Sequence, residues 1–164
     1  MSVNRWVGLA ASVLSLSTLF ATPPAAPVKK TDAFLDAETT GVLTIEATEC
    51  FDDPVYDRRA NDRVVVYVPC VDGADNQAYG FVHAPDGPFD RPAVAALAWS
   101  RCGQAFDRLW HGAGRAGLDF YPVLPTAETW ADGDRVIMCV VYRPTGKLPD
   151  SVLPLALGGT QGES

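Results

Sequence analysis

The hydrophobic pattern of this chain is dominated by one apolar run near its C-terminal end. Residues 125–142 start with Pro-Thr, pass through Trp130 and Gly133, and end in Arg-Val-Ile-Met-Cys-Val-Val-Tyr. Proline and threonine favour a short helical turn, glycine favours a reversal, and a β-branched run between breakers is typical of a strand covered on both faces. The pattern therefore predicts a turn that leads into a buried central strand with Cys139 at its middle.

Shorter runs of Val, Ile, Thr and Tyr predict four further strands, separated by segments rich in Gly, Pro, Asn and Asp. The run at 64–68 is entirely apolar or aromatic and gives the strongest of these predictions, and the strand at 77–84 is expected to pair with it. Strands are predicted at 42–50, 64–68, 77–84 and 118–121, and a polar loop is predicted at 51–62.

One helix is predicted from Asp90 to about Trp110. Asp90 suits the N-cap position because its carboxylate can accept from unpaired backbone amides, and Pro92 is tolerated in the first turn. Apolar residues then recur every three or four positions, which is the period of an amphipathic helix; they are Val94, Ala98, Cys102, Ala105 and Leu109. Cys102 lies on this apolar stripe and is expected to face the sheet.

The N-terminal residues resemble a secretory leader. Arg5 precedes an uncharged apolar run, which is shorter than the roughly 20 residues that a membrane-spanning helix needs, and a small-residue segment with prolines follows. We expect a signal peptide at 1–26, a flexible spacer at 27–39, one folded domain at 40–157 and a disordered tail at 158–164. An uncleaved leader that tethers the protein to a membrane is the alternative.

The charge of the chain argues against a nucleic-acid partner. Its 13 basic and 20 acidic residues give a formal net charge of -7, and the basic residues do not cluster. Binding to phosphates requires such clusters, because the bound cations displace counterions from the backbone. A nucleic-acid partner is therefore not expected.

The four cysteines predict two disulfides, because four cysteines in an exported chain are typical of a crosslinked domain. Free thiols and a zinc site are the alternatives. The closest pair, Cys50 and Cys70, is much farther apart than usual zinc ligands, and no Cys-x-x-Cys motif indicates redox catalysis. Of three possible pairings we favour Cys50 with Cys70, joining two strand ends, and Cys102 with Cys139, joining the helix to the central strand.

The predicted fold is α+β: a mostly antiparallel sheet, one main amphipathic helix packed on it, and two disulfides.

Several of these residues together resemble the septum formation family of small secreted or membrane-tethered bacterial domains. The similarity spans about residues 44–152, and its most specific part is Trp-x-x-Gly-Asp-Arg-x-x-x-Cys, ending at Cys139. The other matching features are Cys50-Phe51, Val-x-Val-Pro-Cys ending at Cys70, Cys102 with Phe106, and Tyr121-Pro122. The resemblance implies an extracytoplasmic α+β domain associated with cell division or the envelope. With the predicted export, it makes an unknown envelope protein or wall component the expected partner, with membrane contact only through an uncleaved leader. The chain departs from the family pattern at Asn76 and Tyr79, where members often carry His and Glu.

The residues give little support for catalysis. His83 and His111 are the only histidines, each at the predicted end of an element, and no nucleophile elbow, phosphate-binding loop or zinc-protease motif is present. Carboxylates are frequent, so an exported hydrolase that uses a carboxylate or histidine remains the alternative function. A carboxylate pair of the glycosidase type, such as Asp52 with Asp53 or Asp132 with Asp134, is a further alternative, although acidic residues in loops usually form a solvated surface. Weak calcium binding at Asp52, Asp53 and Asp57 is another, although their spacing matches no recognised calcium loop. We expect no cofactor and no metal.

The candidate binding surface consists of Trp130, Asp134 and Arg135. Tryptophan and arginine are frequent anchors at interfaces, which favours a recognition surface. The structural alternative is that Asp134 and Arg135 fix the turn before the central strand, with Trp130 packed over the helix. The sequence therefore predicts a secreted, envelope-associated binding or sensor module without catalysis, linked through the resemblance to septum formation.

Overall fold

A computed structural model describes residues 26–154 of the chain. The predicted leader, apart from Ala26, and the predicted tail at 158–164 lie outside the described residues. Within 26–154, no helix has the length and apolar character needed to cross a membrane.

The centre of the described structure is a five-stranded sheet whose pairings are all antiparallel. In chain order its strands are β1 (Cys50–Phe51), β4 (Tyr67–Val68), β5 (Asn76–His83), β6 (Asp119–Val123) and β7 (Val136–Tyr142), and their spatial order is β4-β1-β5-β7-β6. A separate two-stranded sheet pairs β2 (Val55–Asp57) with β3 (Asp62–Val64). The prediction of a mostly antiparallel α+β fold is confirmed.

Strand β7 forms the core because both of its faces are covered. Successive side chains of a strand point to opposite faces, and six of its seven residues are buried. Ile137, Cys139 and Val141 face the main helix, and Met138, Val140 and Tyr142 belong to the cluster on the other face. The predicted buried strand with Cys139 at its middle is confirmed.

The main helix, α1 (Arg91–Leu109), covers one face of the sheet. Asp90 Oδ1 accepts from the Ala93 amide at 3.3 Å, so the predicted N-cap is present, and Pro92 lies in the first turn. Val94, Ala98, Cys102 and Phe106 form its buried stripe. A second, short helix, α2 (Ala127–Ala131), begins at Thr126, whose hydroxyl accepts from the Thr129 amide at 3.2 Å.

Both predicted disulfides are present. Cys50–Cys70 joins β1 to the residue two positions after β4, with a Cα–Cα distance of 5.1 Å. Cys102–Cys139 joins the buried face of α1 to the centre of β7, with a Cα–Cα distance of 5.4 Å. The pairing places each bridge between elements that already pack together, and it is consistent with an oxidising environment.

The second face of the sheet is covered by the residues predicted to be a spacer. Leu35 is 2% exposed and packs with Tyr121 and Val123, and the Ala37 amide donates to the Leu124 carbonyl at 3.0 Å. The docked segment therefore differs from the flexible spacer predicted at 27–39. Its irregular backbone has no helix or strand period, so the pattern of its sequence does not reveal that it is buried.

Two strand predictions are wrong in detail. Residues 42–50 contain a 3-10 turn (Val42–Thr44), and only Cys50 belongs to a strand. The run at 64–68 divides between β3 and the edge strand β4, with Val66 exposed, and β5 pairs with β1 and β7 rather than with this run. The predicted loop at 51–62 contains β2. Whether an apolar run forms a strand depends strongly on its packing against neighbouring strands, and the sequence of the run does not show which neighbours it will have.

Candidate functional site

Trp130 and Arg135, two of the three predicted surface residues, are in contact with each other. The Arg135 guanidinium carbon lies 3.9 Å from the centre of the Trp130 ring, and the same guanidinium donates through Nη1 to the carbonyls of Trp130 and Asp134, both at 2.8 Å. Trp130 is 6% exposed, and its Nε1 donates to the Gly87 carbonyl at 2.8 Å. These contacts hold α2 and the turn before β7 against the loop before α1.

Arg135 also reaches across to Asp86. Its Nε lies 3.3 Å from Asp86 Oδ1, within ion-pair distance, although the angle is outside hydrogen-bond geometry. The Asp86 side chain is almost fully exposed. Solvent screens such a contact strongly. The Arg135 guanidinium is therefore fixed mainly by the indole ring and the two carbonyls.

Asp134 lies at a different site from the other two. Its Oδ1 accepts from the Val136 amide at 2.8 Å, which fixes the start of β7, and its Oδ2 is buried without a hydrogen-bond partner in the described part of the chain. A buried polar atom without a partner is unusual and destabilises the free protein.

Asp134 lines a groove on the sheet face opposite α1. We call this the apolar groove; it has a volume of about 160 Å³, and its walls are Ala37, Val42, Leu43, Ile45, Phe81, Val123, Asp134, Val136 and Met138. Leu43 is 67% exposed and Phe81 41% exposed, so two large apolar side chains at its walls remain in contact with water. Asp134 is its one charged wall residue. Trp130, in contrast, lines a separate cleft of about 250 Å³ beside the start of α1.

A polar site lies at the other end of the sheet face that carries the apolar groove. We call it the lysine cluster, and its members are Lys30, Asp53, Asn76, Tyr121 and Tyr142. Lys30 is 4% exposed, and its Nζ donates to Asp53 Oδ1 and, at 2.8 Å, to Asn76 Oδ1. The Asn76 Nδ2 donates to the same Asp53 oxygen at 2.8 Å, and the Tyr121 hydroxyl donates to Asn76 Oδ1 at 3.0 Å. Asp53 Oδ1 therefore bridges the Lys30 amine and the Asn76 amide nitrogen, and Asn76 Oδ1 bridges the Lys30 amine and the Tyr121 phenol.

Aromatic rings surround the Lys30 amine. Its Nζ lies 4.8 Å from the centre of the Phe34 ring, 5.0 Å from that of Tyr142 and 5.9 Å from that of Tyr121. Burial lowers the pKa of Lys30, while the hydrogen bond and the charge of Asp53 act in the opposite direction. Burial also raises the pKa of Tyr121 well above its usual value, so its hydroxyl stays protonated.

The sequence reasoning missed the lysine cluster. Its members come from five separate places in the chain, and Lys30 lies in the predicted spacer while Asp53 lies in the predicted polar loop. The one available signal is the apolar pair Phe34-Leu35 within an otherwise polar segment. Asn76 and Tyr79, where this chain departs from the septum formation pattern, are both buried.

The residues considered for catalysis are not assembled with one another. His83 is the exposed last residue of β5, and His111 is exposed before a 3-10 turn that follows α1. Asp52 pairs with Lys147 at 2.7 Å, and Asp53 with Lys30, so two carboxylates of the possible calcium loop bind lysines. Among residues 26–154, no group of three or more His, Cys, Asp or Glu is arranged to hold a metal ion.

Comparison with known proteins adds no relative. No protein-family model, curated protein or solved structure matches the chain.

Proposed function

We propose that this protein is a secreted, envelope-associated binding or sensor module that acts without catalysis in septum formation or cell division. The two disulfides support an oxidising compartment outside the cytoplasm. The apolar leader pattern and the resemblance to the septum formation family support export and the envelope. The apolar groove supports binding.

The apolar groove is the observation that carries the binding role. Exposed Leu43 and Phe81 lie beside buried Met138 and Val123, so a ligand would meet a continuous apolar surface. Asp134 supplies the one charge among the wall residues of the groove. The chain as a whole carries a charge of -7. The ligand that fits is an apolar peptide segment of a partner protein that carries a lysine or arginine.

The test uses two synthetic fluorescent peptides. One is a short leucine-rich peptide with a single central lysine, and the other carries glutamate at that position. Fluorescence anisotropy with the oxidised protein is expected to show tighter binding of the lysine peptide. Phe81→Asp should weaken that binding roughly tenfold or more, as expected when an anchor worth at least about 1.4 kcal/mol is lost.

Two further variants distinguish binding in the groove from a general effect of added negative charge on the protein surface. Val71→Asp adds the same charge at an apolar residue that is 73% exposed and outside the groove, and should leave binding unchanged. Asp134→Asn keeps an oxygen for the Val136 amide and should reduce the preference for lysine over glutamate. Equal binding of both peptides by all variants would contradict the proposal, and so would hydrolysis of wall-derived substrates that is lost in His83→Ala.

A further inference from the structure

The lysine cluster brings a primary amine, a side-chain amide and a carboxylate into direct contact. Asp53 Oδ1 accepts a hydrogen bond from Lys30 Nζ and another from Asn76 Nδ2. Lys30 Nζ in turn donates to Asn76 Oδ1 at 2.8 Å, next to the amide carbon. An ion pair alone would explain the contact between Lys30 and Asp53. It would not require the buried Asn76 side chain, whose amide is hydrogen-bonded to both of these residues.

We propose that Lys30 and Asn76 become joined by an intramolecular isopeptide bond, with Asp53 as the proton carrier. The bond would link the docked N-terminal segment covalently to the first residue of β5. The reaction concerns the maturation of this chain and is independent of the proposed binding function.

The reaction is a transamidation whose atoms balance within the cluster. The lone pair of Lys30 Nζ attacks Asn76 Cγ, so the Nζ–Cγ bond forms. The Cγ–Nδ2 bond then breaks, and ammonia leaves. Asp53 Oδ1 takes a proton from Nζ and delivers it to Nδ2, because both nitrogens already donate to that oxygen. The step needs no oxidant, reductant or second molecule.

The neighbouring groups favour this attack. Burial lowers the pKa of Lys30, which increases the share of neutral, nucleophilic amine. The Tyr121 hydroxyl donates to Asn76 Oδ1 at 3.0 Å, where negative charge develops as the amine adds, and burial keeps that phenol protonated by raising its pKa. The fold holds the reacting groups together, which replaces a bimolecular encounter.

The surroundings also bury the amine and the amide and leave an exit for ammonia. Asn76 and Tyr121 are fully buried, and Lys30 is 4% exposed. The Asp53 side chain is 40% exposed, and Asp53 and Lys30 line a cavity of about 190 Å³. Protons and ammonia can leave through this cavity.

Mass spectrometry of the exported, oxidised wild-type protein tests the bond. Trypsin cuts after Lys29, Arg58, Arg63 and Arg101, so Lys30 and Asn76 fall in different peptides, 30–58 and 64–101, which the Cys50–Cys70 disulfide also connects. After reduction and alkylation we expect the two peptides to stay joined. Their mass should be the sum of both, less one ammonia, with no cleavage after Lys30.

Three variants complete the experiment. Lys30→Arg and Asp53→Asn should each yield separate peptides after reduction, the first because it lacks the amine and the second because it lacks the proton carrier. Lys29→Arg, a change at the exposed neighbouring lysine, should retain the joined peptides. Separate 31–58 and 64–101 peptides from folded wild-type protein with both disulfides formed would overturn the proposal, whatever the variants do.

Discussion

At residue 135 the guanidinium group is held on one side by an indole ring and on the other by two backbone carbonyls. Its Nη1 donates to the carbonyls of Trp130 and Asp134, and its side chain is 20% exposed. Arginine suits this place because its planar group can stack and donate at the same time, whereas a lysine ammonium cannot. Arg135 and Trp130 therefore hold the turn before β7, whereas the structural alternative considered from the sequence gave that role to Asp134 and Arg135, with Trp130 packed over the helix.

Replacing Arg135 with lysine should destabilise the protein. The change keeps the charge but loses the stacking and one or both carbonyl contacts, so we expect a decrease in the free energy of unfolding of about 1–2 kcal/mol. Urea denaturation followed by tryptophan fluorescence measures it. Arg143→Lys, at an exposed arginine, is the control and should differ from wild type by less than about 0.5 kcal/mol. Equal unfolding midpoints for the two variants would contradict this role of Arg135.

The buried hydroxyl of Tyr79 should make the free energy of unfolding decrease at alkaline pH. Burial raises the pKa of Tyr79 far above its ordinary value, and its hydroxyl donates to the Cys102 carbonyl at 2.8 Å. The folded state keeps this proton while the unfolded chain releases it near pH 10, so the contribution to stability is complete below about pH 10 and is lost as the pH rises further. Tyr79→Phe should be less stable at neutral pH and should show a shallower loss of stability above pH 10. Thermal unfolding of wild type and Tyr79→Phe at several pH values measures both effects. If stability decreases equally in the two proteins above pH 10, the pH dependence does not come from Tyr79.

At the scale of elements, the sequence predicts those segments whose pattern repeats over a long stretch. The three- and four-residue spacing of α1 and the continuous apolar run of β7 identify both elements, and their cysteines then favour the Cys102–Cys139 pairing. Shorter runs fail because β1 and β4 are only two residues long and depend on their neighbours in the sheet. The lysine cluster is missed for a related reason: its residues share no element, and only the tertiary fold brings them together.

The two disulfides should differ in their sensitivity to reductant. Cys102 and Cys139 are 0% and 1% exposed, whereas Cys70 is partly exposed at the edge of the sheet. Thiol–disulfide exchange requires access to a sulfur atom, so mild reduction of the folded protein should open Cys50–Cys70 first. Timed alkylation followed by peptide mass spectrometry measures the order. Loss of Cys102–Cys139 first would mean that α1 separates from β7 more easily than its buried packing indicates.

Removal of each bridge by paired alanine substitutions gives a related prediction. Loop-entropy estimates give about 3 kcal/mol for Cys50–Cys70 and about 4 kcal/mol for Cys102–Cys139. The second pair also loses packing between α1 and β7, where both cysteines are buried. We therefore expect the Cys102→Ala/Cys139→Ala protein to have the lower free energy of unfolding, measured in urea. The reverse order would show that the edge bridge matters more than the core bridge.

At the scale of the whole molecule, residues 26–154 form three layers: α1, the five-stranded sheet, and a cover formed by the N-terminal segment at 30–45 together with Val65. The cover completes the core on the second face, where Leu35, Val42, Ile45 and Val65 pack against Tyr121 and Val140. It also forms one wall of the apolar groove and supplies the amine of the lysine cluster. Both candidate sites therefore depend on residues near the boundary between the predicted spacer and the predicted domain.

The position of the domain boundary can be tested directly. A chain that begins at residue 40, as the sequence predicted, lacks Leu35 and Lys30 and uncovers part of the second face. We expect it to be less stable than a chain that begins at residue 26 by more than the roughly 2–5 kcal/mol expected for Leu35→Ala alone. Val28→Ala, at a side chain that is 54% exposed, is the matched control and should change stability by less than about 0.5 kcal/mol. If the shorter chain unfolds at the same urea concentration as the longer one, the N-terminal segment contributes no stability and the three-layer description fails, because a covering layer that can be removed without cost does not belong to the core.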